Sequence, residues 1–142
     1  MDGFLSRYAT YLYALLRIVS GFMFIWHGTQ KLFSFPPAQL PPGTPPPEGI
    51  SAQMAVAGSI ELLGGLLIMM GLFTTIAAFL SSGLMAAAYF SVHFSFAAFL
   101  PIVNRGELAV LYCFVFLYIA ARGAGVWSID SMFRGPRTSE SL

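Results

Sequence analysis

Charge is what this chain lacks most. Only seven of its 142 residues are Lys or Arg and six are Asp or Glu, 9% in all, where a soluble domain carries about 25%. Too little charge is available to cover a soluble surface. With 57% apolar residues and a mean hydropathy of +0.76, the chain reads as an integral membrane protein. Its net charge of +1 provides no basic patch, so no nucleic-acid partner is expected. A single cysteine, Cys113, lies inside an apolar run. That excludes an intrachain disulfide and a CxxC redox pair, and such a thiol usually packs as a small hydrophobe. The two histidines fall in separate runs without a third soft ligand, so no metal site is expected. No glycine-rich phosphate loop precedes a helix outside the apolar runs, so no soluble cofactor is evident.

Apolar runs are what the chain has instead. A spanning helix needs about 20 mostly apolar residues, and four windows qualify: 8–33, 51–72, 74–99 and 106–122. The expected fold is all-α, an integral membrane four-helix bundle in one domain over 1–134, with a disordered tail at 135–142. Arg7 precedes an apolar stretch as in a signal peptide, but the stretch is long enough to span and no small-x-small site follows. A retained first helix is expected. The tight turn at 71–75 makes the second and third helices antiparallel neighbours. Pro101 stops the third run, and Asn104-Arg105-Gly106 turn into the fourth.

Between the first two helices lies a loop, 34–50, holding seven of the nine prolines: Pro36, Pro37, Pro41, Pro42, Pro45, Pro46 and Pro47. Proline removes a backbone donor and blocks helix, so the loop favours extended polyproline geometry. It reads either as a stiff linker or as a docking surface for a partner. With four spans, Arg7, Arg122, Arg134 and Arg137 share one side, and Lys31 and Arg105 the other. The positive-inside rule then places both termini in the cytoplasm.

Arg17, Glu61, His93 and Glu107 fall one to each predicted helix. A charge near the bilayer centre costs roughly 2.5–3.5 kcal/mol on insertion scales, so such residues pair or face a polar cavity. Helical phase groups their neighbours. Gly21, Phe24, Gly28 and Lys31 share the face of Arg17, with His27 nearby; Gly58, Gly64 and Gly65 share that of Glu61. Ser82, Ala86 and Tyr89 align with His93, and Leu111, Phe114 and Tyr118 with Glu107. Depth counted from the helix ends predicts an Arg17–Glu61 ion pair near the midplane. It also predicts an outer polar layer of His27, Lys31, His93, Asn104, Arg105 and Glu107. The cluster reads either as structural, fixing helix register, or as a ligand, quinone or proton site with Trp26, Tyr89 and Tyr118 close by.

These residues resemble the DoxX family. The resemblance rests on Leu16-Arg17-Ile18-Val19-Ser20-Gly21-Phe22, His27-Gly28-Thr29-Gln30-Lys31-Leu32, Glu61-Leu62-Leu63-Gly64-Gly65-Leu66-Leu67 and Gly71-Leu72-Phe73-Thr74. It continues through His93-Phe94, Pro101-Ile102-Val103-Asn104-Arg105-Gly106-Glu107 and Gly123-Ala124-Gly125-Val126-Trp127-Ser128-Ile129-Asp130. It implies a multi-pass, four-helix protein of the bacterial inner (cytoplasmic) membrane. Similar proteins are small subunits of membrane oxidoreductase assemblies, including quinone-linked sulfur oxidation. The family's recurring polar positions would here be Arg17, His27, Lys31, Glu61, His93, Asn104 and Glu107. The proline-rich loop and the lack of a cysteine pair depart from the family, and the latter argues against thiol or persulfide chemistry on this chain. The leading expectation is an accessory subunit that docks to, or helps assemble, a larger membrane redox or energy-converting complex. Two others stand beside it: a quinone-linked oxidoreductase subunit with its site in the outer layer, and a small-molecule binding or transport protein. Expected partners are the lipid bilayer and other membrane subunits. Whether the chain is itself an enzyme stays open at this level.

Overall fold

The computed structural model describes residues 3–39, 43, 45 and 49–133. The predicted tail and Pro41, Pro42, Pro46 and Pro47 lie outside the described residues. The architecture is all-α. A 3-10 turn, Phe4–Tyr8, leads into α1, Ala9–Phe33. Helix α2 is Ala52–Met70, and α3 is Thr74–Ala88, prolonged by one π turn, Tyr89–His93. A short α4, Pro101–Asn104, precedes α5, Glu107–Arg122, and a short α6, Ile129–Phe133, follows it.

Among the described residues, three helical stretches are long and apolar enough to cross a bilayer: Phe4–Phe33, Ala52–Met70 and Thr74–His93. Helix α5 is 16 residues long, about 24 Å at 1.5 Å per residue, which is short of a hydrocarbon core about 30 Å thick. The third helix also ends earlier than predicted, at His93 rather than Phe99. Hydropathy does not separate an apolar helix from an apolar loop. Phe94 turns extended after the π turn, and Pro101 holds Leu100 extended as well, as a proline does to the residue before it.

Two tight pairs make up the bundle: α1 packs along α2, and α3 along α5, with α2 and α3 joining the pairs. Glycines set the first pair. A Cβ on Gly21 would lie 2.7 Å from the Gly65 carbonyl oxygen, and one on Gly28 2.7 Å from that of Gly58. Backbone therefore meets backbone at two levels seven residues apart, the close approach that small residues permit in membrane helices. The core lies where the pairs meet. Phe24 packs edge-on to Phe116 at 4.7 Å between ring centres, and Tyr112 stacks on Phe116 at 5.2 Å. The outward faces carry Leu12, Leu15, Val19, Phe79, Leu80, Leu111 and Phe114, all exposed. A continuous apolar exterior of this kind suits lipid contact.

Candidate functional site

The two buried charged residues, Arg17 and Glu61, stand in separate polar groups at opposite ends of the bundle. The turn end holds the α2–α3 turn and the segment after α5. Here Arg17, with no exposed surface, spreads its guanidinium over four backbone carbonyls. Nη1 donates to Ile68 and Met69 at 2.8 Å each, and Nη2 to Trp127 at 2.6 Å and Val126 at 3.3 Å. The last carbonyls of a helix have no intrahelical partner and carry the negative end of its dipole. Arg17 meets both needs for α2 and fastens the 126–127 segment to the same point. Asp130 does the converse for α3. Its carboxylate accepts from the backbone N–H of Phe73 (2.9 Å) and of Thr74 (3.0 Å) and from the Thr74 hydroxyl (2.9 Å). The Asp130 N–H donates back to the Gly71 carbonyl at 2.9 Å. Tyr13 closes the group by donating its hydroxyl to the carbonyl of Gly123.

The predicted Arg17–Glu61 pair does not form. Gly21 lies against Gly65 and Gly28 against Gly58, so Arg17 stands level with the end of α2, while Glu61 stands level with His27. About ten residues, roughly 15 Å, separate the two levels along α1. Counting inward from each helix end hid this, because α1 is longer than α2.

Glu61 pairs instead with Lys31 at the other end, where α1 finishes and α2 begins. The Lys31 ammonium sits 2.6 Å from each carboxylate oxygen. The Glu61 side chain is 3% exposed and that of Lys31 32%. The flexible Lys31 stem reaches back along α1 to bring its charge to the carboxylate. Beside the pair, a cavity of about 290 Å³ opens between α1, α3 and α5, lined by His27, Lys31, Glu61, His93, Arg105 and Tyr112. Its other walls are apolar: Phe24, Met85, Ala88, Val92, Leu108 and Ala109.

Local structure aims each polar group. The π turn Tyr89–His93 adds a residue to the last turn of α3, a distortion common at functional sites. His93 Nδ1 lies 3.1 Å from the Asn104 carbonyl oxygen. That oxygen can only accept, so Nδ1 carries a proton and donates to it, a tautomer in which Nε2 is free to act as an acceptor. Asn104 lies behind the wall as a brace. Its amide donates to the Ala98 carbonyl (3.0 Å) and the Tyr89 hydroxyl (3.3 Å), and its oxygen accepts from the Gly106 N–H (2.8 Å). Tyr89 in turn donates to the Phe99 carbonyl at 2.7 Å. His27 meets the Tyr112 ring edge-on at 5.9 Å.

Of the predicted outer layer, the cavity thus gathers His27, Lys31, His93 and Arg105, adds Glu61, and uses Asn104 as support. Glu107 is exposed in the first turn of α5 and lines no part of it. Its predicted face companions Leu111, Phe114 and Tyr118 are exposed too. The buried face of α5 is Ala109, Tyr112, Phe116, Ile119 and Ala120. Phase taken from Glu107 therefore selected the lipid side of α5. Trp26 and Tyr118 are exposed, and the tyrosine at the cavity is Tyr112, with Phe24 beside it. The signal that could have found it is the Tyr112–Phe116 spacing, an aromatic pair one turn apart on a face otherwise made of Ala109, Ile119 and Ala120.

Tyr112 is 6% exposed, and its hydroxyl has no hydrogen-bond partner among the described residues. Burying an unpaired hydroxyl costs about 1–3 kcal/mol. The cavity thus offers donors (Lys31, Tyr112, Arg105) and acceptors (Glu61, His93 Nε2) around a pocket with apolar walls. Such a pocket suits a small flat head group with hydrogen-bonding oxygens at its edges.

A DoxX family profile matches residues 12–94. This chain belongs to the DoxX family. It is also 44% identical, over 131 residues, to a Haemophilus influenzae protein described only as uncharacterized, across 91% of this chain and 96% of the relative. No solved structure matches the chain. The DoxX match takes in Arg17, His27, Lys31, Glu61 and His93. It ends before α5, which supplies Tyr112.

Proposed function

We propose that this protein is a small subunit of a membrane redox assembly that holds a quinone head group in the cavity beside Lys31 and Glu61. The observation that carries this reading is a cavity lined by two histidines, an ion pair and Tyr112, a residue whose hydroxyl is buried and without a hydrogen-bond partner among the described residues. A bound quinone supplies an electron-accepting ring. The chain's own groups would hold it: Tyr112 and Lys31 as donors to a ring oxygen, His93 as an acceptor from one that carries hydrogen, and Phe24 and Met85 as apolar walls. The test is titration of the detergent-purified protein with dimethoxy-methyl-benzoquinone, followed by quenching of intrinsic fluorescence. Tyr112→Phe should weaken binding about 5–10-fold, the worth of one hydrogen bond, with thermal stability retained. Saturable binding that is unchanged in Tyr112→Phe, or no saturable binding at all, would overturn the reading.

The accessory role has its own support in α5. At about 24 Å that helix is short for the bilayer, yet it carries Glu107 at one end and Arg122 at the other, with Leu111, Phe114 and Tyr118 facing outward. A protein neighbour along this stripe would relieve the mismatch. The proline-rich loop is the second docking element. Co-purification from native membrane should lose its partner subunits when 36–47 is deleted or when Phe114 is changed to Lys. Undiminished recovery of the partners sinks the docking reading. The Lys/Arg bias supports an inner-membrane orientation with both termini in the cytoplasm; a phosphatase fusion at the C-terminus should be inactive and a fluorescent-protein fusion bright.

A further inference from the structure

A second and larger hollow of about 730 Å³ adjoins the cavity, between the first half of α2 and the last turns of α3. The two share Lys31, Glu61, Met85, Ala88 and Val92. Their characters differ. Away from the ion pair the hollow is walled mostly by small or apolar side chains such as Ala52, Val56, Ala57, Leu84 and Ala87, with Gln53 and Ser91 as its polar lining. The hydroxyl of Ser91 is already spent on the Ala87 carbonyl at 2.7 Å. Val56 and Val92 are 61% and 68% exposed, so the hollow opens on the lipid-facing surface of the bundle. Ten residues of α2, 52–61, make its floor, about 15 Å of helix.

We propose that this groove seats the apolar tail of the molecule whose head group occupies the cavity, so that the ligand is a membrane-dissolved amphiphile arriving sideways between α2 and α3. The inference rests on the quinone-site reading above and adds to it the tail and the route. The Lys31–Glu61 pair marks the junction: it is the only polar feature common to both spaces among the described residues. An amphiphile drawn in from the bilayer meets the ion pair with its polar end and keeps its chain against α2 and α3. A water-soluble ligand would have no use for the lipid-facing opening. Inside a bilayer the tail gains little from burial alone, since lipid is as apolar as the groove. What the groove contributes is shape, a slot that holds one chain in line with the cavity.

The discriminating experiment compares two probes that share a ring: dimethoxy-methyl-benzoquinone and its decyl-tailed analogue. Each is titrated into wild-type protein, Ala87→Trp and Ala57→Trp. Ala87 is exposed, so its variant should fold normally. Filling the groove should weaken the tailed probe at least 10-fold and leave the tailless ring within twofold. Equal weakening of both probes, or of neither, overturns the groove while the cavity reading stands. If the tailless ring does not bind wild-type protein, both fall. A second readout needs no variant. A quinone with a diazirine at the tail terminus, irradiated in nanodiscs, should label 52–57 and 84–92 well above other lipid-facing segments, and excess unlabelled decyl analogue should suppress it. Labelling spread evenly over Phe79, Leu80 and Leu111 would overturn the proposal.

Discussion

The two ends of this bundle each bury charge, and they treat it differently. At the turn end, Arg17 and Asp130 bond to backbone: four carbonyls at the close of α2 and in the 126–127 segment, and two N–H groups at the start of α3. Those partners are fixed by the chain path. At the other end the charges meet side chain to side chain, Lys31 on Glu61, beside a cavity lined by Tyr112, whose buried hydroxyl is unanswered. A buried charge bound to backbone locks a fold. The turn end also leaves one buried group unpaired, the Arg17 Nε, so what suits the other end to receive something is the cavity beside Lys31 and Glu61, with two histidines on its wall. Burial alone does not distinguish the two cases, because Arg17 and Glu61 are both within 2% of full burial.

The contrast can be tested by substitution. Arg17→Met should have the largest effect. It takes away four hydrogen bonds that tie the end of α2 to the 126–127 segment, although the Ile68 carbonyl keeps the Gly71 N–H; at about 1.5–3 kcal/mol for a bond to a charged group, little folded protein should survive detergent extraction, as read by size-exclusion yield. Lys31→Met should follow, at about 3–5 kcal/mol, because it strands a buried carboxylate. Here the fold at the turn end is untouched, and the double variant Lys31→Met/Glu61→Gln should recover most of the loss in thermal unfolding. If the double variant is no better than the single one, the pair is not what holds that end. Gly28→Ala should cost about 1–3 kcal/mol by overpacking, since its Cβ would meet the Leu62 nitrogen at 2.5 Å. Asp130→Ala removes the cap on α3 and should cost about 0.5–2 kcal/mol. The smallest change in stability belongs to Tyr112→Phe, whose melting temperature should hold or rise slightly because an unpaired hydroxyl is deleted. A clear fall in that temperature would mean that the hydroxyl at the cavity end holds the fold, as the charges at the turn end do.

Much of this was legible in the residues. Composition identifies a membrane protein, and three of the four predicted runs appear as helices of spanning length. The face shared by Arg17, Gly21, Phe24 and Gly28 is the buried face of α1, and that of Gly58, Glu61, Gly64 and Gly65 is the buried face of α2. These inferences succeed because helical phase is a local property. Two kinds failed. The Arg17–Glu61 pairing depended on how far α1 slides along α2, which the glycine contacts decide and the helix ends do not. The face of α5 was read from Glu107, a charge that stays exposed in the first turn and so carries no information about the interior. The capping role of Asp130 was equally hidden, since its partners Phe73 and Thr74 are 57 and 56 residues away in the chain.

By itself, then, the sequence determined that the chain enters a membrane, where three of its long helices run, and which faces of α1 and α2 turn inward, because hydropathy and the 3.6-residue period are written into every short window. The tertiary structure alone decided which buried charges meet. It sent Arg17 to the carbonyls of α2 and Glu61 to Lys31, and it brought Tyr112 from α5 to the cavity. Those outcomes rest on the offset between packed helices, and an offset of roughly 15 Å, ten residues of helix, is enough to exchange one partner for another.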